Sequence, residues 1–316
     1  MTGFVVEGGG QVWQLPELLE FSVEYGVGTP CDSFSVCCVW AEDNPTRPGD
    51  WWGFYAEEGG ERVFTGVVDE CEVSLTGRGR RLEVSGRGMA ARLLDNEALG
   101  QDYDLALWED IVADHIAAYG VEVLPAGEMP RQERFRVDVG SSAWTVLAQF
   151  LRAGGGRPIR FDRWGRLDVS EWEDGAVAVL DGSVPVTGLV LREKRYGALS
   201  EVLARDRWAG TVRSVRDEAF LETGGMARRV VTMAGRASAA ELEAAGRELL
   251  ETAARERREV EVTVALPFYA MPGELVELRR GERDSDGLWR VARSTVELDG
   301  DGIRTRMILR EKDCVR

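Results

Sequence analysis

Few residues in this chain have the type and spacing that catalysis requires. His115 is the only histidine, so a Ser-His-Asp or Cys-His catalyst would have to use it. It lies in the segment ALWEDIVADHIAAYG, where helical spacing places it beside Ile111 and Ile116, and no GxSxG turn accompanies it. The pattern favours a partly buried helix histidine over a catalytic one.

The cysteines are the next candidates, as metal ligands or as disulfides. There are five, an odd number without CxxC spacing: Cys31, Cys37, Cys38, Cys71 and Cys314. This usage is typical of reduced thiols in a cytosolic compartment. A zinc site from Cys31, Cys37 or Cys38 and Cys71 is the alternative. Because the vicinal pair lies in the apolar run FSVCCVW, we favour strand residues that pack as small hydrophobes, and we predict no metal site.

One glycine pattern suggests a nucleotide cofactor. Residues 86–91, GRGMAA, match the G-x-G-x-x-A turn of dinucleotide-binding proteins and stand between a strand and a helix. The strand before them, RLEVS, alternates apolar and polar residues, whereas the corresponding strand of such proteins is buried on both faces. We therefore predict no cofactor.

Carboxylate pairs could serve a glycoside-cleaving enzyme. The candidates are Asp102 with Asp104, Glu109 with Asp110, and Glu171 with Glu173 and Asp174. Since the chain has 55 acidic residues, such pairs also arise by chance, and a solvated surface is the simpler interpretation.

Length and composition describe an ordinary globular chain of two or three domains. Its 316 residues are 44% hydrophobic and 30% charged, and no apolar run reaches the roughly 18 residues of a membrane span. The net charge of −16 repels phosphate backbones, which argues against sequence-specific nucleic-acid binding. We also predict no membrane insertion by the chain itself.

The hydrophobic pattern predicts three domains, at residues 1–96, 97–181 and 182–316. The first consists of short, evenly spaced strands, typical of an antiparallel barrel or sandwich, and closes with a short helix. The second is a small α/β module with one helix from near Asp104 to Gly120, another from Ser142 to Ala153, and a hairpin turning at Trp164-Gly165. The third returns to strands around one long helix, from about Ala239 to Glu259, that begins with the capping-box spacing S-x-x-E.

The two ends of the chain resemble each other. Residues 73–81 and 296–304 match at a constant offset, and each is a strand that turns through G-x-G into a return strand. Two hairpins with glycine turns can look alike without common origin; the alternative is a duplicated β-domain split by an inserted module.

These segments, in their order, resemble the baseplate hub proteins of contractile phage tails, the Mu-type or late-control-D family also found in contractile injection systems. The resemblance rests on FTGVV at residues 64–68, LEVSGRG at 82–88, VTV at 262–264, MPGELVEL at 271–278 and WRV at 289–291. It implies a β-rich α+β fold with two antiparallel tube-type β-barrel domains separated by the small α/β module.

The resemblance also implies a function and partners. In that family the protein is a homotrimer whose two barrels per subunit continue the hexameric tail tube and meet a trimeric spike. We therefore predict a non-enzymatic symmetry adaptor without cofactors, in the baseplate of a virion or phage-like particle assembled in the bacterial cytoplasm. Its partners would be the tube, spike and other baseplate proteins, with the tape measure protein as a further one.

Four aromatic residues are our predicted subunit contacts: Trp51, Trp52, Phe268 and Tyr269. They can equally belong to the core of one subunit. Two rival functions remain open at this stage. One is a peptidoglycan-cleaving tail enzyme that uses a carboxylate pair, and the other is a tail-tip adhesin that presents its tryptophan loops to a host receptor.

Overall fold

A computed structural model describes residues 1–27, 31–77, 79–172, 174–175, 177–233, 236–255 and 257–312. Arg78, Glu173 and Cys314, which figure in the sequence patterns above, lie outside the described residues. Among the helices of the described part, none is long and apolar enough to cross a membrane.

The first part of the chain is built of strands, as the sequence predicts. The strands are β1 (Thr2–Glu7), β2 (Val12–Gln14), β3 (Leu18–Gly26), β4 (Ser33–Val39), β5 (Trp51–Glu58), β6 (Glu61–Thr76) and β7 (Gly79–Gly88). A 3-10 turn, Pro48–Asp50, precedes β5, and the short helix α1 (Ala91–Leu94) follows β7. The strands pair antiparallel. Because the backbone of a strand is extended and pleated, successive side chains alternate between the core face and the opposite face.

The middle part combines small sheets with two longer helices. Its elements are β8 (Gln101–Ala106), α2 (Trp108–His115), β9 (Gln132–Val137), α3 (Ala143–Ala153), β10 (Arg160–Phe161) and β11 (Leu167–Asp168), with a 3-10 turn at Ala117–Tyr119. The predicted helix start at Asp104 is wrong, because Asp104 lies in β8, which pairs with β9. The start of α3 is confirmed: Ser142 Oγ accepts a hydrogen bond from the Thr145 amide at 3.1 Å.

The last part returns to strands and contains the long helix. Its elements are β12 (Val177–Leu180), β13 (Val186–Glu193), β14 (Glu201–Asp206), β15 (Val212–Arg216), α4 (Glu218–Glu222), β16 (Arg228–Met233), α5 (Ala239–Ala254), β17 (Arg258–Val264), β18 (Leu275–Leu278), β19 (Gly287–Asp299) and β20 (Gly302–Glu311). The predicted capping box of α5 is present, since Ser238 and Glu241 bond each other's backbone amides. The predicted helix end at Glu259 is wrong, because Glu259 lies in β17.

Most strands join in one large sheet. Its order is β13-β17-β20-β19-β3-β4-β7-β6-β5-β1-β2, and β18 pairs with β19 and β12. The strands β14, β15 and β16 form a separate sheet against which α5 packs. The predicted β-rich α+β class is confirmed. The strands of both ends share this sheet, and no closed barrel is assigned among the described residues.

Four hydrophobic clusters lie among the described residues. The first lies among β1 to β7 and is rich in aromatic rings, whereas the third, among β12, β13 and β17 to β20, is mostly aliphatic. The second surrounds α2 and α3, and the fourth lies between β14 and α5. We call β1 with β3 to β7 the first β unit, β12, β13 and β17 to β20 the second β unit, and β14 to α5 the inserted module.

Candidate functional site

The two hairpins that match in sequence also match in backbone geometry. In β6 and β7 the last paired residues are Thr76 and Gly79, and in β19 and β20 they are Asp299 and Gly302. The φ angles of Gly79 and Gly302, +107° and +105°, lie in a region that glycine alone adopts readily. Both return strands therefore begin at a glycine of the same backbone conformation, 223 positions apart (302 minus 79).

Each hairpin also has a β-bulge at the same place. The register of β6 with β7 shifts between Val68 and Glu70, and that of β19 with β20 shifts between Val291 and Arg293. These positions are again 223 apart. Because a bulge is a specific local feature, its recurrence at one offset shows that the two hairpins are structurally equivalent.

The equivalence extends from the hairpins to the surrounding strands. The first unit has the spatial order β3-β4-β7-β6-β5-β1, and the second has β13-β17-β20-β19-β18-β12. The chain runs through both sets in the same sequence. One pairing differs, since β1 is antiparallel to β5 whereas β12 is parallel to β18. The molecule thus contains two copies of one β unit, which favours the duplicated domain over chance similarity.

A strand-to-strand junction connects the two units. Beyond its bulge, β19 leaves β18 and pairs antiparallel with β3, from Arg293 opposite Gly26 to Leu298 opposite Phe21. Val296 and its partner Val23 are fully buried in this junction. On the opposite face, Thr295 Oγ1 donates a hydrogen bond to Glu24 at 3.4 Å.

The equivalent half of β6 lacks such a partner. Within the described residues, β5 pairs with β6 only up to Val67, so residues 70–76 are bonded to β7 on one side alone. Leu75 is 81% exposed and Val73 is 40% exposed, although Val73 corresponds to the buried Val296. At one end of the sheet, β13 pairs only with β17 among the described strands, and its Val190 is 45% exposed. The open half of β6 and the edge of β13 both carry apolar side chains, and β2 and β12 are further edge strands of the described sheet.

The sheet face opposite the cores differs in charge between the units. Cross-strand registers place these charged side chains on that face in the first unit: Glu20, Glu24, Glu70, Glu72, Glu83, Arg81 and Arg87. The same face of the second unit carries Glu259, Glu261, Glu277, Glu297, Asp299, Arg192, Lys194, Arg290, Arg293, Arg304, Arg306 and Arg310. Acids outnumber bases five to two in the first set, while the second has five acids and seven bases. The negative charge is concentrated on the first unit.

The two predicted tryptophan contacts lie in different environments. Trp51 is 4% exposed, packs edge-on against Trp40 and donates a hydrogen bond from Nε1 to Thr46 Oγ1 at 2.8 Å. Its side chain therefore belongs to the core of the chain itself. Trp52 is 69% exposed, and its role as a subunit contact stays a prediction.

The other two predicted contacts, Phe268 and Tyr269, connect the cores of the two units. Phe268 packs against the cluster of the second unit and Tyr269 against that of the first. Both line an open groove of about 840 Å³ between the β10–β11 hairpin and the MPG turn. In that turn Gly273 has φ +93°, and a Cβ atom there would lie 1.8 Å from the ring of Trp172. Both aromatic residues are half-buried within the chain, and their role between subunits stays a prediction.

Three candidate catalytic residues, Asp102, Asp174 and His115, can be placed by their contacts and pKa shifts. Asp102 is exposed and lies 3.8 Å from Arg136. Hydrogen bonds from Lys312 and Arg290 lower the pKa of Asp174, whereas a catalytic acid needs a raised one. Burial lowers the pKa of His115, whose Nε2 lies 3.0 Å from the Tyr103 hydroxyl. Among the described residues, no group of three or more His, Cys, Asp or Glu is placed to hold a metal ion.

One carboxyl group that sequence reasoning missed has a strongly altered pKa. Burial raises the pKa of Asp32 to about 7. Its Oδ1 accepts a hydrogen bond from the Gly26 amide at 2.9 Å, and its carbonyl accepts one from the Gly88 amide at 2.7 Å. Asp32 therefore fastens the connection between β3 and β4 to β7, which is a structural role.

The glycine pattern at residues 86–91 is explained by strand packing. Gly86 lies in β7 between β4 and β6, and a Cβ atom there would lie 2.0 Å from the Val67 carbonyl oxygen. The strand is antiparallel to both neighbours, in contrast to the parallel strand of a dinucleotide-binding turn. The glycine thus permits close backbone approach at the bulge.

Comparison with known proteins identifies the fold. No protein-family model matches the chain, and no curated protein matches it in sequence. The 43 kDa tail protein of prophage MuSo2 from Shewanella oneidensis superposes with a TM-score of 0.82 at 18% identity, over 100% of this chain and 99% of that one. The tail protein from Neisseria meningitidis MC58 gives 0.79 at 18% identity, over 99% and 97%.

A more distant structural neighbour comes from a secretion machine. A component of the E. coli type VI secretion system, described as similar to two T4 bacteriophage tail proteins, gives a TM-score of 0.61 at 14% identity over 93% of this chain and 73% of that one. At such identities the likeness establishes the fold. The chain has the fold of phage tail proteins and of related injection-system proteins, and the resemblance predicted from its motifs is confirmed at that level.

Proposed function

We propose that this chain, having the fold of phage tail proteins, is a structural baseplate hub of a phage-like contractile tail or injection system. It acts as a trimer that adapts the sixfold tail tube to a threefold spike. The observation that carries this proposal is the presence of two equivalent β units in one chain. Three copies supply six such units, which is the number needed to continue a hexameric tube, while the whole assembly keeps threefold symmetry.

The open edges of the sheet are consistent with a ring. One junction between units is made inside the chain by β19 and β3, while the edges at β6 and β13 have no strand partner in the described part of the chain. A ring in which these two edges pair between copies would cover them, which avoids uncontrolled association through them. The face opposite the cores would line the channel.

The charges on that face suit passage of a polyanion. The acidic surplus of the first unit repels phosphate groups, and repulsion prevents adhesion during transit of DNA or another acidic cargo. The role is mechanical and electrostatic and needs neither an active site nor a cofactor. The working place of the protein would be the baseplate of the particle, in contact with tube, spike and neighbouring baseplate proteins.

Mass measurement in solution tests this function. We would measure the mass by light scattering during size-exclusion chromatography, first alone and then with the candidate tube and spike proteins. We expect a particle of three times the 34.9 kDa of one chain, alone or once the spike protein is added. Electron micrographs of that particle should show six similar lobes. A stable monomer that ignores both partners would overturn the proposal, and peptidoglycan cleavage by that monomer would favour the enzyme.

A further inference from the structure

The open half of β6 and the open edge of β13 correspond to the two strands that already pair inside the chain. The open half of β6 is equivalent to the half of β19 that binds β3. β13 occupies the place in the second unit that β3 occupies in the first. We infer that residues 70–75 of one copy pair antiparallel with residues 189–194 of a second copy, in the register of the internal β19–β3 junction. This inference rests on the proposed function and specifies the surface through which copies associate.

The register follows from the hydrogen-bonded ladders. In the first unit, Phe21 of β3 lies opposite Val36, and Val36 lies opposite Val84 of β7. In the second unit, Leu189 of β13 lies opposite Val262, which lies opposite Met307 of β20. Val84 and Met307 are 223 positions apart, the offset of the equivalent hairpins. Leu189 is therefore the equivalent of Phe21.

Transferring the internal register to these positions places apolar side chains together on the core side. Leu298 opposite Phe21 becomes Leu75 opposite Leu189 of the second copy. Val296 opposite Val23 becomes Val73 opposite Leu191. The internal pair is fully buried, whereas Val73 and Leu75 are exposed in the single chain. Pairing would cover these side chains, and burial of apolar area favours association.

The same register brings opposite charges together on the other face. Thr295 opposite Glu24 becomes Glu72 opposite Arg192 of the second copy, and Arg293 opposite Gly26 becomes Glu70 opposite Lys194. A slip of one residue would place the charged row of one strand beside the apolar row of the other. In this register four of the five charged side chains lie on the face opposite the cores, and the fifth, Glu193, lies opposite Cys71 on the core side.

Glu72 gains more from such a partner than an ordinary surface acid would. Within one chain Glu72 lies directly opposite Glu83 of β7, and like charges in facing positions destabilise a sheet. Arg192 already contacts Glu261 and is 42% exposed at its side chain, so its guanidinium can reach a second carboxylate. The junction between copies would carry two acid–base pairs across the strands, whereas the internal junction has the single ion pair of Arg293 with Glu24, at 3.8 Å.

Charge reversal and restoration test this register. We would measure the monomer–trimer equilibrium by analytical ultracentrifugation for wild type, Glu72→Arg, Arg192→Glu and the double variant. Each single reversal should weaken association about tenfold, and the double variant should return to within about threefold of wild type. Glu109→Arg, the same charge change on the exposed surface of α2, is the matched control and should leave association unchanged. Raising salt from about 50 mM to about 500 mM should weaken wild type more than the uncharged Glu72→Gln variant.

Hydrogen exchange on the wild-type protein gives a second test that needs no variant. Amides of residues 189–192 and of residues 71–75 should exchange more slowly in the trimer than in the diluted monomer. If the protein forms a trimer but Glu72→Arg and Arg192→Glu do not weaken it, or if these amides are unprotected in the trimer, the pairing is overturned and the proposed function still stands. A chain that stays monomeric with both partners present would overturn both. If the charge-reversal variants lose binding to the tube protein but still associate with one another, the open edges of β6 and β13 bind the tube protein. That result would also overturn the pairing.

Discussion

The two β units share strand order, turns and bulges but fill their cores differently. In the first unit the rings of Phe34, Phe54 and Phe64 pack together, with Phe34 and Phe54 stacked at 3.9 Å between centroids. The buried core of the second unit consists of aliphatic side chains with Met307 and Trp289, and the half-buried Phe268 packs against it. At equivalent positions, the glycines at 66 and 86 correspond to Trp289 and Leu309. In the first unit the two glycines leave space beside the backbone, and the phenylalanine rings fill it. In the second unit Trp289 and Leu309 fill the equivalent space with their own side chains, so the same strand arrangement accommodates both ways of packing a core.

The largest effect on stability should come from changing the size of the side chain at the equivalent positions Gly86 and Leu309. Gly86→Ala would place a Cβ atom 2.0 Å from the Val67 carbonyl oxygen and 2.7 Å from the Phe34 ring. We expect it to lower the free energy of unfolding by about 3–5 kcal/mol or to prevent folding. Leu309→Ala, at the equivalent position, should lower the free energy of unfolding by about 2–5 kcal/mol, because removal of this buried side chain leaves a cavity.

Denaturant unfolding followed by tryptophan fluorescence would measure both costs. Ser22→Ala, half-buried on the face of β3 opposite the core, is a suitable control and should change stability by less than about 0.5 kcal/mol. If Gly86→Ala were neutral, the close backbone approach that distinguishes the first unit would be refuted.

A pH-dependent effect should distinguish the connections within the two units. The first unit links β3 to β4 through a short segment held by Asp32, whereas the second links β13 to β17 through the inserted module. Because the pKa of Asp32 is raised to about 7 from an ordinary 3.8, the native state favours its protonated form. The stability that this carboxyl contributes is present at low pH and is lost as pH rises from about 4 to about 7.

Asp32→Asn should remove this dependence, because an amide oxygen can still accept the Gly26 amide without ionising. We expect the variant to be more stable than wild type by about 4 kcal/mol at pH 8 and to differ little at pH 3. Thermal unfolding across this pH range would show it. A constant difference between the variant and wild type at all pH values would mean that the pKa of Asp32 is not raised in the folded chain.

The smallest effect on stability should come from substituting the turn glycines, and it should be equal in the two units. Gly79 and Gly302 both have φ near +105°, and neither position has an atom within 4 Å of an added Cβ. Gly79→Ala and Gly302→Ala should therefore each cost about 1 kcal/mol, from backbone conformation alone. Unequal costs, measured by denaturant unfolding, would show that the two turns are less alike than their angles indicate.

Local signals in the sequence predicted local structure well. Ser142 and Ser238 cap the helices predicted to begin beside them, and the glycines of both G-x-G turns end the predicted hairpins. Asp104 failed as a predicted helix cap because pairing of β8 with β9, a contact distant in sequence, overrides its capping preference. The strand β15 and the helix α4 were not predicted.

The open edges could not be found from the sequence. Residues 21–26, FSVEYG, and 189–194, LVLREK, occupy equivalent places but share no recognisable pattern. Their equivalence depends on two successive strand registers, which are set by tertiary pairing. The aromatic contacts were chosen by residue type alone, and type does not separate the buried Trp51 from the exposed Trp52.

The strand β19 has a mechanical consequence for the molecule. Its thirteen residues form one continuous backbone that belongs to the second unit before the bulge and pairs with the first unit after it. A force along this strand that pulls the units apart loads the hydrogen bonds of the junction simultaneously, in shear. A force across the strand would open the same bonds one after another. The connection between the units is therefore stiff along one axis and compliant along another.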